Sequence, residues 1–190
     1  MIGASGGGMI FTTGEDFSTG SLRPIGQVVF KYNFTQNWSG VLESGFGWNA
    51  YPTADPNLDD TLAVVIPTTV GGQYRFQFQE SHFWPQVGAG LGLYSLGIKD
   101  TFRTWAETAA GERYTWTRPG AYAKLGGEYI FDNAAAINVD LLWHAVLSKD
   151  TNRYPDKWGN QNTSFFQFRV GANYYFSLGG GSGAVPADDE

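Results

Sequence analysis

The sequence predicts an all-β chain, an antiparallel eight-stranded transmembrane β-barrel with short periplasmic turns and longer extracellular loops. Three observations predict it. Side chains alternate between apolar and polar over long stretches, the signature of strands with two unlike faces. Charged residues make up only 16% of the 190 residues, where a soluble domain carries about 25%. No run of 18 apolar residues exists, so no helix can span a membrane, and mean hydropathy is only −0.25. A barrel reconciles low charge with modest hydropathy, because each strand turns only every second residue to lipid.

Eight strands are expected at roughly 2–13, 22–34, 38–51, 61–78, 83–99, 113–130, 135–148 and 163–177. The first runs through the glycine-rich opening segment. In the second, Val28, Phe30, Tyr32 and Phe34 share one face, opposite Val29, Lys31 and Asn33. The third sets Glu43, Gly45 and Gly47 on its polar face. The fourth ends in Tyr74-Arg75-Phe76, and the fifth carries Gly88, Gly90 and Gly92 on the polar side. The sixth places Gly126 between Lys124 and Glu128 on one parity. The seventh does the same with Asp140, Leu142 and His144. In the eighth, Phe166, Phe168, Val170, Ala172, Tyr174 and Phe176 oppose Gln167, Arg169, Gly171, Asn173 and Tyr175.

The connections alternate in length. Short turns fall at Thr35-Gln36-Asn37, Gln79-Glu80-Ser81-His82 and Asp132-Asn133-Ala134, and longer polar connections near 14–21, 52–60, 100–112 and 149–162. This is the alternation of bacterial outer-membrane barrels, and it places both chain ends on the periplasmic side. Aromatics then sort into two girdles. Phe34, Trp38, Phe78, Phe83, Tyr129, Phe131 and Phe176 fall at the short-turn end, and Trp48, Tyr51, Tyr94, Trp116 and Trp143 toward the long loops. A soluble barrel or sandwich would also alternate, with its apolar face inward. Against it, glycines weaken a solvated strand face for no gain. So many Phe, Tyr, Trp and Leu side chains would also overfill the interior of eight strands.

Residues 1–178 are read as the barrel and 179–190 as a flexible, glycine-rich tail with an acidic end. The tail is either a disordered linker or a periplasmic peptide that docks on a partner or a neighbouring copy. The start, Met1-Ile2-Gly3-Ala4-Ser5-Gly6, has neither a basic nor an apolar signal region, so a signal peptide is expected to have been removed or replaced.

Pro67-Thr68-Thr69-Val70-Gly71-Gly72-Gln73-Tyr74-Arg75-Phe76, a short turn, and Trp84-Pro85-Gln86-Val87-Gly88-Ala89-Gly90-Leu91-Gly92-Leu93-Tyr94 form a hairpin. It resembles the central hairpin of small outer-membrane barrels of the OmpW, OmpX and OmpA-barrel kind. The resemblance implies a cell outer membrane location. It also implies a strand ending on an aromatic, which Tyr174-Tyr175-Phe176 matches before the tail Ser177 to Glu190. OmpW-like barrels imply passage of small hydrophobic molecules.

A net charge of −6 and a sequence pI near 4.8 make nucleic acid a poor partner. There is no cysteine, hence no thiolate metal site, and no metal or cofactor is expected. Lys31, Glu43, Arg75, Lys124, Glu128, Asp140, Arg169 and His144 share the inward parity. Opposite charges inside a narrow barrel must pair. They are read as a salt-bridged plug, or alternatively as a polar path for a small solute. An apolar inner mouth would favour transport, yet Tyr94 and Leu142 are few among the polar groups. His144 and Ser148 invite a lipid A hydrolase reading. Four residues of strand put them about 13 Å apart, too far for base and nucleophile, and the His-x-Ser-Asn pattern of such deacylases is absent.

Asp55, Asp59 and Asp60, among Pro52 and Pro56, fit no EF-hand spacing and read as a solvated loop. Gly88 to Gly92 lies within a strand, so it is no nucleotide fingerprint. Loops with Arg103, Trp105, Glu107, Arg113, Tyr114, Trp116 and Arg118, then Lys149, Asp150, Arg153, Tyr154, Asp156, Lys157 and Trp158, suit lipopolysaccharide head groups or protein partners. Their aromatics could equally be interface anchors. The expected partners are outer-membrane lipid and lipopolysaccharide, with a homo-oligomer or a periplasmic or outer-membrane protein also considered. The function expected is non-enzymatic: a barrel with a salt-bridged, largely closed lumen and a structural or interaction role through its external loops, lipid-facing wall and tail. The alternative is transport of a hydrophobic solute, and a lipid A-modifying enzyme ranks below both.

Overall fold

The computed structural model describes residues 1–12, 22–51, 61–78, 81–100, 102, 104–107, 111–131, 134–151 and 161–176. The alternating segments pair with their sequence neighbours into eight strands: β1 (Ile2–Phe11), β2 (Arg23–Asn33), β3 (Trp38–Tyr51), β4 (Thr61–Arg75), β5 (Phe83–Lys99), β6 (Thr115–Ile130), β7 (Ala135–Val146) and β8 (Thr163–Tyr174). Every pair is antiparallel, and β1 pairs with β8, so the sheet closes. Closure leaves no edge strand with unpaired backbone groups. β3 and β5 keep the predicted limits, and the other six end a little short. At the end of β7, for instance, the Ser148 N–H turns back to the Val146 carbonyl instead of continuing the ladder.

The strands differ in length. β5 has 17 residues, β6 16 and β4 15, whereas β1 has 10 and β2 11. Register partners show where the excess lies. β4, β5 and β6 pair as far as Leu62–Lys99 and Gly97–Thr115, while the β6–β7 ladder stops at Gly120–Val146. β3 and β4 pair as far as Tyr51–Thr61, so on the loop side β3 to β6 stand above their neighbours.

The apolar parity faces out. Leu91 is 68% exposed, Leu125 60% and Val70 61%, with Phe30, Leu42, Leu141 and Phe168 in the same belt. Burying such a side chain is worth about 1.5–3 kcal/mol, and a belt on all eight strands makes water the wrong solvent for this wall. A soluble barrel would show the reverse arrangement. Near the short turns the wall presents Phe34, Trp38, Phe78, Phe83, Tyr129 and Phe176, all exposed, and higher up Trp48 and Trp143. Trp116 departs from the predicted girdle. It shares the parity of Tyr122 and Lys124, is 6% exposed, and packs inside with Tyr114, Leu96 and Ile98. Tyr94 likewise points inward and is fully buried. The alternation of β5 and β6 fixes that side for both rings, whatever their height.

Small residues on the inward parity make room for large ones. A Cβ on Gly90 would meet the Tyr122 ring and the Val70 carbonyl, and one on Gly126 would meet the Asp140 carboxylate. Gly26 is different: it faces outward and a Cβ there would meet nothing. Gly90→Ala is expected to cost about 1–3 kcal/mol by overpacking. Gly26→Ala should stay within about 0.5 kcal/mol of the parent. Urea unfolding in detergent micelles measures both. Equal costs at the two sites would refute a lumen packed against its glycines.

Candidate functional site

The lumen is built in three layers. The lowest, nearest the short turns, centres on Glu128 of β6, which is fully buried. It accepts from Lys31 Nζ and Arg75 at 3.3 Å each, from Asn173 at 2.7 Å and from the Tyr175 hydroxyl at 2.6 Å. Donors from β2, β4 and β8 thus converge on one carboxylate of β6. Arg75 also lies over the rings of Trp84 and Tyr175, at 5.3 and 5.8 Å.

Arg169 of β8 governs the middle layer. Its guanidinium holds Glu43 of β3 through two bonds of 2.7 and 2.8 Å across the barrel, and its Nε donates to Asp140 of β7 at 3.0 Å. This fork-to-carboxylate geometry suits arginine and not lysine. Lys124 lies 3.4 Å from Asp140 and 4.0 Å from Glu43, and donates to Gln73 at 2.8 Å. Gln86 and Asn138 donate to Asp140 at 2.7 Å each, and Gln73 bonds Gln86. Four buried cations, Lys31, Arg75, Lys124 and Arg169, thus face three buried carboxylates, Glu43, Glu128 and Asp140. The aromatic faces over Arg75 offset part of the unmatched charge.

His144 joins the charged layer to the one above. Its Nε2 meets Gln167 Oε1 at 3.1 Å, and Gln167 donates to Gln27, which also accepts from Arg169. Its Nδ1 is 2.9 Å from the Tyr94 hydroxyl, and its ring stacks on Phe165 at 4.4 Å. Ser148 belongs elsewhere: its hydroxyl pairs with Thr163 at 2.8 Å and the Gln161 carbonyl at 3.2 Å. The two residues considered for hydrolysis thus have separate partners.

The third layer is apolar. Met9, Phe11, Ile25, Ala63, Val65, Tyr94, Leu96, Ile98, Tyr114, Trp116, Val146 and Phe165 form one buried cluster at the loop end. Sequence reading missed it, finding only Tyr94 and Leu142 on this parity. The signal was present in Val65, Leu96, Ile98 and Phe165, which share that parity with the buried charges. Their height above the charged layers follows from register, which the sequence alone does not fix.

Above the rim, Asp100 accepts from the Phe102 and Thr104 amides and from the Thr104 hydroxyl. The Thr104 hydroxyl, with the two amides, holds this carboxyl below the ordinary carboxylate range. Arg118 and Asp150 form an ion pair. Asp55, Asp59, Asp60, Arg103, Arg153, Tyr154, Asp156, Lys157, Trp158 and the 179–190 tail lie outside the described residues, as do the Gln79-Glu80 and Asp132-Asn133 turn positions. No group of acidic or histidine side chains able to hold a metal occurs among the described residues.

No protein-family model and no curated protein matches the chain. Its fold is similar to that of several solved structures. Neisserial surface protein A is 13% identical, with a TM-score of 0.67 over 92% of this chain and 96% of that one. Ail, the attachment invasion locus protein of Yersinia pestis, was solved with the heparin analogue sucrose octasulfate. It is 10% identical, with a TM-score of 0.57 over 91% and 95%. The outer membrane protein OprG of Pseudomonas aeruginosa is 15% identical, with a TM-score of 0.50 over 91% and 94%. The architecture is that of small eight-stranded outer-membrane barrels.

Removing one member of a buried ion cluster strands its partners. Arg169→Met is expected to cost about 3–5 kcal/mol in urea unfolding, and Arg169→Lys less, since it restores charge without the fork. A loss under about 1 kcal/mol for the methionine variant would show that Glu43 and Asp140 do not depend on this cation.

Proposed function

We propose that this chain is a non-enzymatic barrel of the outer membrane, closed to solutes, that acts through its external loops and lipid-facing wall. The observation that carries the reading is the double filling of the lumen. Two hydrogen-bonded charge layers and one apolar layer lie in series, and Arg169, His144, Tyr94 and Phe165 are each at most 1% exposed. Eight strands enclose little more than the volume of their side chains. The apolar outer belt supports membrane insertion, and the similar solved barrels support the outer membrane as its location.

The Ail complex holds a polysulfated sugar. The loop end here mixes signs: Lys99, Arg113, Arg118 and Lys149 among Asp100, Glu107, Glu112 and Asp150. It offers no plainly basic face for a polyanion, so contacts that combine aromatic rings with mixed charge fit it better.

A second reading, entry of a hydrophobic solute at the loop end, draws support from the apolar layer. Such a solute would have to displace packed side chains and then meet the charged layers below.

Conductance in planar bilayers separates these readings. The parent and Lys31→Ala/Arg75→Ala are both expected to stay silent, because the charge variant leaves the apolar layer in place. Adding Phe165→Ala should produce resolved openings. Reproducible openings in the parent would overturn the closed-lumen reading and make transport the leading function.

A further inference from the structure

Hydroxyls stand on the outer wall at two levels. Thr12 and Ser164 form a cross-strand pair 2.8 Å apart, and Ser95 and Thr117 another at 2.9 Å. Both lie toward the loop ends of their strands, where polar surroundings can solvate them. Ser44 of β3 and Thr68 of β4 form a third pair, 3.1 Å apart, and it lies lower. Ser44 is six residues above Trp38 and four below Trp48 on β3, and Thr68 stands at the same remove from Tyr74 and Val64 on β4. The side chains above and below the pair are Leu42, Phe46, Ile66 and Val70, all exposed. These hydroxyls therefore sit inside the apolar belt.

The backbone beside the pair is short of a donor as well. The β3–β4 register runs from the short turn to Ser44–Thr68 and resumes only at Gly47–Val65. Pro67 falls opposite Gly45 in that gap, and it has no N–H to give to the ladder. On the other flank, Gly6 of β1 and Gly26 of β2 face outward in register with each other, and a Cβ on either would meet nothing. The wall there is low enough for another backbone to come close. Two hydroxyls bonded to each other use one proton and leave the second to seek an acceptor. Acyl chains offer none.

From this juxtaposition we infer that the outer face of β1 to β4 around Ser44 and Thr68 is an interface with a second copy of this chain. A two-fold axis along the membrane normal brings equal heights together, so the hydroxyl pair of one copy meets the pair of the other. Each copy then supplies the acceptor that the other's spare proton lacks, as polar side chains do between packed segments in lipid. A different membrane protein would need a matching polar spot at the same depth, which a second copy has by symmetry. The inference rests on the membrane reading proposed above, and deepens it by giving the wall its partner.

The test is energy transfer between donor-labelled and acceptor-labelled chains in phosphatidylcholine vesicles. The chain has no cysteine, so Gln36→Cys, exposed in a short turn, takes the dyes. The parent is expected to show transfer that falls as lipid is added, the mark of reversible pairing. Ser44→Ala/Thr68→Val should need about tenfold more protein per lipid for the same transfer. Ser95→Ala/Thr117→Val, which removes a pair near the rim, should match the parent. Folding of each variant is read from its mobility shift on unheated gels. Gly26→Leu, which raises the wall beside the hydroxyls, should weaken transfer as well and serves if the Ser44/Thr68 variant does not fold. Transfer in the parent no greater than random mixing gives overturns the interface. Equal transfer by all folded variants, or an equal loss in the rim variant, does the same. A chain that remains monodisperse in buffer without detergent overturns the membrane reading itself.

Discussion

Closure of eight strands is the constraint from which the rest follows. A closed ladder satisfies the backbone internally, which allows the outer wall to be apolar without an edge strand. The same closure makes the interior too narrow for bulk water. A polar group that points inward is then costly unless it finds a protein partner. Glu43, Asp140 and Arg169 come from three strands that share no ladder with one another except β7 and β8, so their bonds tie opposite walls together. The lumen-facing glycines belong to the same constraint, since a narrow barrel holds Tyr122 and Tyr94 only where another strand gives up its side chain.

The two halves of the interior solve the volume problem differently. Below, charged groups are costly to bury and return little unless fully paired, so they specify geometry more than they add stability. Above, Phe165, Tyr94 and the cluster around them fill space without orientation demands beyond shape. His144 belongs to both halves, with one ring nitrogen toward the glutamines and one toward Tyr94, and its face on Phe165.

Much of this was legible in the chain. Period-two alternation gave the strand number and which parity faces inward, as Phe166 to Phe176 illustrate, because side-chain direction in a strand is fixed by backbone geometry. Turn lengths gave the order of short and long connections. What alternation cannot give is height. Trp116 has the sequence appearance of an interface anchor, yet its parity sends it inward, and only the pairing of Leu96 with Trp116 shows that it lies above the charged layers. The pairings within the lumen were equally hidden. Parity brought seven charged residues to one interior, but which cation serves which carboxylate depends on cross-barrel distances that register sets.

The unequal strands described above give the molecule a front and a back. Seventeen residues in β5 against ten in β1 amount to about 23 Å more strand, shared between the two rims. A cylinder cut on a slant does not present the same face in every direction within a crowded plane. Neighbours arriving on the β1–β2 side meet a low rim, and those arriving on the β3–β6 side meet a parapet. Lateral encounters in a membrane would therefore be sorted by compass bearing.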